Sequence, residues 1–120
     1  MATIDVLRHA HEAVHFPAGT TVLEAGGTGK VMYVVKDGML DIQVGGRLVA
    51  TAGPGEVVGE LALIDDRARS AAVVARTDCE LVPVDEKRFL FLVQQTPYFA
   101  LQVMRVLAER LRKMNEIVAA

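Results

Sequence analysis

The chain has 120 residues, of which 52% are hydrophobic, and a formal net charge of −2. This length and composition fit one globular domain with a packed core and exclude a disordered chain. The slightly acidic balance argues against broad binding to nucleic acid, which needs a clustered basic surface. No apolar run approaches the ~20 residues that span a membrane, and the N-terminal residues lack the apolar segment of a signal peptide.

The single cysteine, Cys79, excludes an internal disulfide and favours a reducing compartment. We therefore expect a cytoplasmic location. Because Cys79 lies in an apolar run, we expect a small buried thiol rather than a reactive one.

The first two thirds of the chain predict strands and tight turns. Segments rich in Val, Thr, Tyr and Ile are separated by glycine clusters at spacings of about 8–12 residues, which is typical of a sandwich or barrel. Asp37-Gly38 predicts a hairpin between strands over residues 31–35 and 39–44. Residues 71–75 and 80–84 predict a second strand pair around Thr77-Asp78.

The last third changes to a helical period. Asp85 is the predicted N-cap of a helix over residues 86–95, and Thr96-Pro97 predicts the start of a second helix over 97–118. Gln102 and Arg105 fall on the predicted polar side of the second helix. Its predicted apolar side comprises Ala100, Val103, Met104, Leu107, Leu111, Met114 and Val118. That apolar side fits either a lid packed on the β-domain or the seam of a homodimer.

The stretch from Gly59 to Val73 reads GELALIDDRARSAAV and concentrates the polar chemistry of the chain. An arginine presents a forked, permanently charged donor that matches a phosphate diester. A carboxylate can accept a hydrogen bond from a sugar hydroxyl, and a short helix entered through Gly59 offers backbone N–H groups to an anion. Glu60, Arg69 and Ser70 therefore predict one site for the ribose and phosphate of a cyclic nucleotide.

The order Gly-Glu-Leu-Ala-Leu, a short loop and Arg-Ser-Ala resembles the phosphate-binding cassette of the cyclic nucleotide-binding domain family. This family includes bacterial regulators of the catabolite activator type, protein kinase A regulatory subunits and cyclic nucleotide-gated channels. Residues 16–19, 24–26 and 32–35, together with Gly38, resemble its opening strands, and residues 53–56 resemble its approach to the cassette.

The resemblance implies a mainly β fold with added α-helices in a single domain over residues 1–120. An antiparallel β-roll, double-stranded and jelly-roll-like, would occupy about residues 9–84. It would contain a short cassette helix and would be followed by two C-terminal helices over about residues 85–118.

The resemblance also implies roles for individual residues. Glu60 would bind the ribose 2′-hydroxyl, and Arg69 would pair with the cyclic phosphate. The phosphate and ribose site as a whole would comprise Gly59, Glu60, Leu61, Ala62, Arg69, Ser70 and Ala71. Ile42, Val49 and Leu61 would line the pocket wall, and Arg110, Met114 and Asn115 would lie near the base.

There are departures from the family pattern. Ala68 stands where proline is usual before the arginine, Ala72 where threonine is common, and Gly27 where an acidic residue is usual. None of these changes affects Glu60 or Arg69.

The resemblance thus implies a sensor or regulatory module, and we expect no catalytic residue, no metal and no cofactor beyond the ligand. The ligand would be cAMP or cGMP, and Arg-Ser-Ala is similar to the bacterial regulators that use cAMP. No helix-turn-helix, kinase or channel segment is recognisable. We therefore expect an unidentified downstream protein as partner, with a homodimer through the last helix as a further possibility and no direct contact with nucleic acid.

Two other interpretations stay open from the sequence. His9, His11 and His15 would share one face of a strand and could bind a metal in a cupin-like enzyme, although no histidine occurs on a distant strand. Alternatively, the cassette is vestigial and the chain is a structural module that associates through its last helix.

Overall fold

The structure is a computed structural model and describes residues 12–27, 29–64 and 71–119, including all their side chains except those of residues 62, 64, 114 and 117–119. Two antiparallel four-stranded sheets form the body of the domain, with strand orders β1-β8-β3-β6 and β2-β7-β4-β5. The strands are β1 (Val14–Phe16), β2 (Thr21–Leu23), β3 (Val31–Asp37), β4 (Leu40–Val44), β5 (Arg47–Ala52), β6 (Val57–Val58), β7 (Ala72–Ala75) and β8 (Cys79–Asp85). Three helices accompany them: α1 (Leu61–Ile64), α2 (Glu86–Gln95) and α3 (Pro97–Ala119). The predicted antiparallel β-roll with a short cassette helix and two C-terminal helices is therefore confirmed.

The predicted hairpin around Asp37-Gly38 is wrong. β3 pairs with β6 and β8, whereas β4 pairs with β5 and β7, so this turn carries the chain from one sheet to the other. Gly38 has a φ of 94°, and a Cβ there would lie 2.7 Å from the Cys79 sulfur. Glycine is needed because two turns pack directly against each other at this end of the roll.

The predicted strand pair around Thr77-Asp78 is wrong for the same reason. β7 pairs with β2 and β4, and β8 pairs with β1 and β3. The chain between them also crosses between the sheets. Asp78 ties this crossing to the β1–β2 turn, because its Oδ1 accepts a hydrogen bond of 2.8 Å from the backbone N–H of Ala18.

β3 and β8 lie at the centre of one sheet and contribute side chains to core clusters on both of its faces, which explains why these strands are apolar without alternation. Leu81 lies in a core cluster between the two sheets, whereas Val82 and Val84 lie in a second cluster beneath α3. The inner cluster also contains Cys79, which is 1% exposed, so the predicted buried thiol is confirmed.

α2 follows β8 directly and begins where the sequence predicts. The Asp85 carboxylate caps the helix by accepting a hydrogen bond of 2.8 Å from the backbone N–H of Arg88. α3 starts at Pro97. Proline suits the first helical position because the backbone N–H that it lacks would have no partner within the helix. Over the part of the chain that the structure describes, no helix is long and apolar enough to cross a membrane.

The side of α3 that packs on the β-roll differs from the predicted apolar side. Phe99, Val103 and Val106 are 0%, 2% and 2% exposed and belong to the core cluster beneath α3. Met104, predicted on that side, is 61% exposed, whereas Gln102, predicted on the polar side, is 7% exposed. α3 carries enough apolar residues for two stripes, so hydrophobic spacing alone did not identify the one that is buried.

Candidate functional site

The candidate site begins where the short edge strand β6 ends. Gly59 has a φ of 77°, in the left-handed region that favours glycine, and this turn leads into the four-residue helix α1. Val57 and Val58 point to opposite sides of their sheet and are 0% and 1% exposed. The cassette is thus anchored at its start by two fully buried side chains.

Glu60 lies at this junction as a buried carboxylate. The residue is only 5% exposed, although an ionised glutamate is costly to remove from water without a partner. That partner comes from α3: the Arg110 guanidinium donates a hydrogen bond of 2.9 Å from Nη1 to Oε1 of Glu60. The ion pair therefore connects the cassette with the C-terminal helix.

Arg110 makes a second contact on the same edge strand. Its Nη2 donates to the backbone carbonyl oxygen of Val57, while its Nε is buried and has no hydrogen-bond partner within the described part of the chain. One guanidinium thus binds both the strand before the cassette and the carboxylate at the start of the cassette. Since the forked donor geometry of arginine suits such a double contact, lysine would be a poor replacement.

This arrangement can hold a neutral hydroxyl. A carboxylate can accept about four hydrogen bonds, so Glu60 can accept one from Arg110 and still accept another from a ligand hydroxyl. The adjacent arginine keeps the local charge balanced, and the low exposure of Glu60 strengthens hydrogen bonds made to it.

The other residues predicted for the site are distributed around this junction. Leu61 is 58% exposed at the start of α1. Ile42 is half-buried on β4, where it packs against the inner core, and Val49 is half-buried on β5. Ala71 is half-buried directly before β7, and Asn115 is exposed on α3.

Some predicted site residues lie outside the description that the structure gives. Arg69 and Ser70 are outside the described residues, as are the side chains of Ala62 and Met114. The assignment of Arg69 and Ser70 to the phosphate stays a prediction.

Sequence reasoning placed Arg110 near the base and missed its contact with Glu60. A usable signal was present, because Arg110 follows Val103 and Val106 at spacings of seven and four. Once Val103 and Val106 are known to be buried, that spacing puts a charge on the buried side of the helix, where it requires a partner.

Two of the three histidines of the alternative metal site lie outside the described residues, so that alternative stays untested. His15 lies on β1, and its Nδ1 is 3.0 Å from Oε1 of Glu80 on the neighbouring strand β8. His9 and His11 lie outside the described residues. Within residues 12–27, 29–64 and 71–119, no group of three His, Cys, Asp or Glu side chains is placed to hold a metal ion.

Comparisons with known proteins show the family to which the chain belongs. Residues 13–96 match the family model of the cyclic nucleotide-binding domain. A cyclic AMP receptor protein from Thermus thermophilus is 35% identical over 105 residues, which cover 83% of this chain and 49% of that protein. The chain thus spans about half the length of this relative.

Solved structures share the fold. The crystal structure of the Thermus thermophilus catabolite activator protein superposes with a TM-score of 0.76 and 32% identity, covering 89% of this chain and 53% of the other. A structure described in connection with a cyclic-GMP-dependent signalling pathway of bacterial phytopathogenesis superposes with a TM-score of 0.75 and 30% identity, covering 92% and 96%. The chain belongs to the cyclic nucleotide-binding domain family.

Proposed function

We propose that this domain binds a cyclic nucleotide, with cAMP preferred over cGMP, and acts as a regulatory module rather than an enzyme. The observation that carries the proposal is the buried carboxylate of Glu60, held by Arg110 where the left-handed turn at Gly59 enters α1. A buried carboxylate at the mouth of a cassette has little structural value of its own, because a buried ion pair is often no more stabilising than an apolar replacement. Its position favours a role in binding.

The ribose 2′-hydroxyl is the proposed donor to Glu60. This hydroxyl is free in a 3′,5′-cyclic nucleotide, and a hydrogen bond from it to an ionised acceptor contributes about 1.5–3 kcal/mol. Arg110 Nη1 donates to Oε1 of Glu60 and so orients the carboxylate before the ligand binds.

The cyclic phosphate is assigned to Arg69 and Ser70, with backbone N–H groups around Leu61, Ala62 and Ala71 as further donors. A phosphate diester carries one permanent negative charge, and a guanidinium can bind two of its oxygens at once. Ile42, Val49 and Leu61 would form the wall of the same pocket. The exposed side chain of Leu61 supports this, because an apolar ligand surface would remove it from water.

The preference for cAMP rests on two supports. The sequence Arg69-Ser70-Ala71 is similar to that of bacterial regulators that use cAMP, and the Thermus relative is named as a cyclic AMP receptor protein. Cyclic GMP is the competing ligand, since a structural relative is tied to a cyclic-GMP-dependent pathway. Met114 and Asn115 are the side chains assigned to the base.

The proposed output is a population shift of α3. Glu60 would serve two partners, the ligand hydroxyl and Arg110, so nucleotide binding changes how strongly α3 is held against the cassette. The shift can be no larger than the ligand's preference for one position of the helix. A downstream protein in the reducing cytoplasm would respond to the surface that α3 presents.

Calorimetric titration with cAMP tests the residue roles. Arg69→Ala removes a charge-assisted contact and should weaken binding about tenfold to a hundredfold or more. Arg67→Ala is the matched control, because it removes an arginine from the same segment without a proposed contact. If Arg69→Ala binds as tightly as the parent chain, the assignment of that arginine is wrong.

Glu60→Gln separates the ribose contact from the phosphate contact. The amide keeps the shape of the side chain but loses the ionised acceptor, so we expect weaker binding of cAMP. The 2′-deoxy form of cAMP, which lacks the donor, should lose little further affinity in this variant. An equal loss for 2′-deoxy-cAMP in the parent and the variant would contradict the role of Glu60.

A further inference from the structure

The solvent-facing side of α2 carries two large apolar side chains. Leu90 and Phe91 are 60% and 57% exposed, whereas Phe89, Leu92 and Val93 pack against the core cluster beneath α3. A surface helix needs only one apolar side to cover its own core. The exposed pair therefore indicates a contact with another molecule.

The exposed pair lies in one stripe with two polar residues. Lys87, Leu90, Phe91 and Gln94 are all exposed, and they stand at positions i, i+3, i+4 and i+7 of the helix. Residues three and four apart are neighbours on a helix surface. We call these four residues the α2 patch. The same spacing is used by helices that bind another protein through one apolar side.

The charges around the α2 patch have one sign. From Lys87 to Ala108 the sequence has no aspartate or glutamate, although the chain contains 15 acidic residues. Arg88 is already paired, since its Nη2 lies 3.1 Å from Oε1 of Glu12. Lys87 has no ion-pair partner within the part of the chain that the structure describes. Its ammonium group is thus available to an acidic partner.

The start of α3 has the same character. Only Thr96 separates α3 from α2, and Tyr98 is 52% exposed. Arg105 lies over the ring of Tyr98 and donates a hydrogen bond of 2.6 Å to its hydroxyl. A guanidinium has five N–H donors, so Arg105 keeps donors for a carboxylate of a partner.

The number of charges favours a protein over a membrane as the partner. Electrostatic binding to anionic lipid typically uses clusters of about four to eight basic residues. The stretch from Lys87 to Ala108 has only Lys87, Arg88 and Arg105, and the chain has a net charge of −2. A few cations beside large apolar side chains instead complement a helix that carries both apolar residues and carboxylates.

We propose that the α2 patch docks an acidic amphipathic helix of another protein. Its apolar side would cover Leu90 and Phe91, and its carboxylates would pair with Lys87 and Arg105. None of these four residues belongs to the nucleotide site, so the proposal holds whether or not the domain binds a nucleotide.

Fluorescence anisotropy with two designed helical peptides tests the docking. Both peptides carry leucine at the i, i+3, i+4 and i+7 spacing, with glutamate at the other positions of one peptide and lysine at those of the other. The full chain should bind the glutamate peptide about tenfold more tightly, because only this peptide complements Lys87 and Arg105. Equal or tighter binding of the lysine peptide would overturn the proposal, as would no binding of either peptide at about 1 mM chain.

Substitutions locate the contact on the chain. Leu90→Ser should weaken binding of the glutamate peptide about tenfold, because it removes an apolar anchor. Leu48→Ser is the matched control, since Leu48 is 49% exposed on β5, and it should bind like the parent. Lys87→Glu should shift the preference toward the lysine peptide. Circular dichroism checks that each variant is folded, and equal affinities of the two leucine variants would place the contact elsewhere and refute the proposal.

Two further measurements test other occupants of the α2 patch. Flotation with vesicles of equal parts phosphatidylglycerol and phosphatidylcholine tests a membrane, and sedimentation equilibrium tests a second copy of the chain. We expect neither result to differ between Leu90→Ser and Leu48→Ser. Vesicle binding or self-association that Leu90→Ser alone abolishes would assign the patch to that occupant and overturn the acidic helix.

Discussion

The two apolar sides of α3 have different environments in the domain. On the side that packs against the β-roll, which we call the docked side, Phe99 and Val106 are 0% and 2% exposed, and Arg110 is paired with a buried carboxylate. On the opposite, solvent-facing side, Met104 and Leu111 are each 61% exposed. The comparison shows that the apolar content of a helix does not reveal which side meets its own core. The docked side is distinguished by a charge, Arg110, whose partner Glu60 lies on the cassette.

The largest expected difference between the two sides is in packing. Phe99→Ala should lower the free energy of unfolding by about 3–5 kcal/mol, because the emptied space beneath α3 cannot collapse fully. The substitution also removes the edge-to-face contact between Phe99 and Phe89, whose ring centroids lie 5.5 Å apart. Leu101→Ala on the solvent-facing side should change the stability of the monomer by less than about 0.5 kcal/mol. Urea unfolding at low protein concentration measures both, and similar losses for the two variants would contradict the division into two sides.

The next effect concerns the charge on the docked side. Arg110→Met should destabilise the domain by about 3 kcal/mol, because it leaves the Glu60 carboxylate buried without its cation. The double variant Arg110→Met with Glu60→Gln should recover much of this loss, since no uncompensated charge remains. Urea unfolding of the four proteins in the cycle gives the coupling. Additive losses would show that the two side chains do not interact in solution.

A smaller effect than that of Arg110→Met is expected at the exposed start of α3. Arg105 Nη1 donates a hydrogen bond of 2.6 Å to the Tyr98 hydroxyl, and its guanidinium carbon lies 5.4 Å from the ring centroid. Tyr98→Phe removes the hydrogen bond but keeps the ring, so stability should fall by less than about 1 kcal/mol. Thermal unfolding measures this change, and a loss larger than that of Arg110→Met would contradict the ranking of the contacts.

Much of the fold was predictable because local signals agreed with the global structure. Asp85 as a cap and Pro97 as a first helical residue correctly predicted where the two C-terminal helices begin. The resemblance of the cassette correctly predicted the β-roll. Strand pairing around Asp37-Gly38 was predicted wrongly, since turn residues specify a reversal but not the sheet that the next strand joins. No side chain fits at Gly38 because Cys79, which is distant in sequence, occupies the space that its Cβ would need.

The site was predictable to a different degree. Glu60 was identified from the cassette pattern, and the structure adds its burial and its partner. Arg110 was assigned to the base from the resemblance, and the sequence alone could not correct this because it does not show which side of α3 faces the roll. Which side of α3 faces the roll depends on the volume that Phe99 fills beneath the helix, and this volume is a property of the assembled core.

Nucleotide binding by the full chain is the central claim, and calorimetric titration of the parent chain with cAMP, cGMP and 5′-AMP tests it most directly. We predict saturable binding of one cyclic nucleotide per chain, tighter for cAMP than for cGMP, and much weaker binding of 5′-AMP, which lacks the cyclic diester. A ligand at about 100 times its dissociation constant should also stabilise the fold by about 2.7 kcal/mol in thermal unfolding. If the chain shows no heat of binding and no thermal stabilisation with either cyclic nucleotide at millimolar concentration, the proposed function is contradicted.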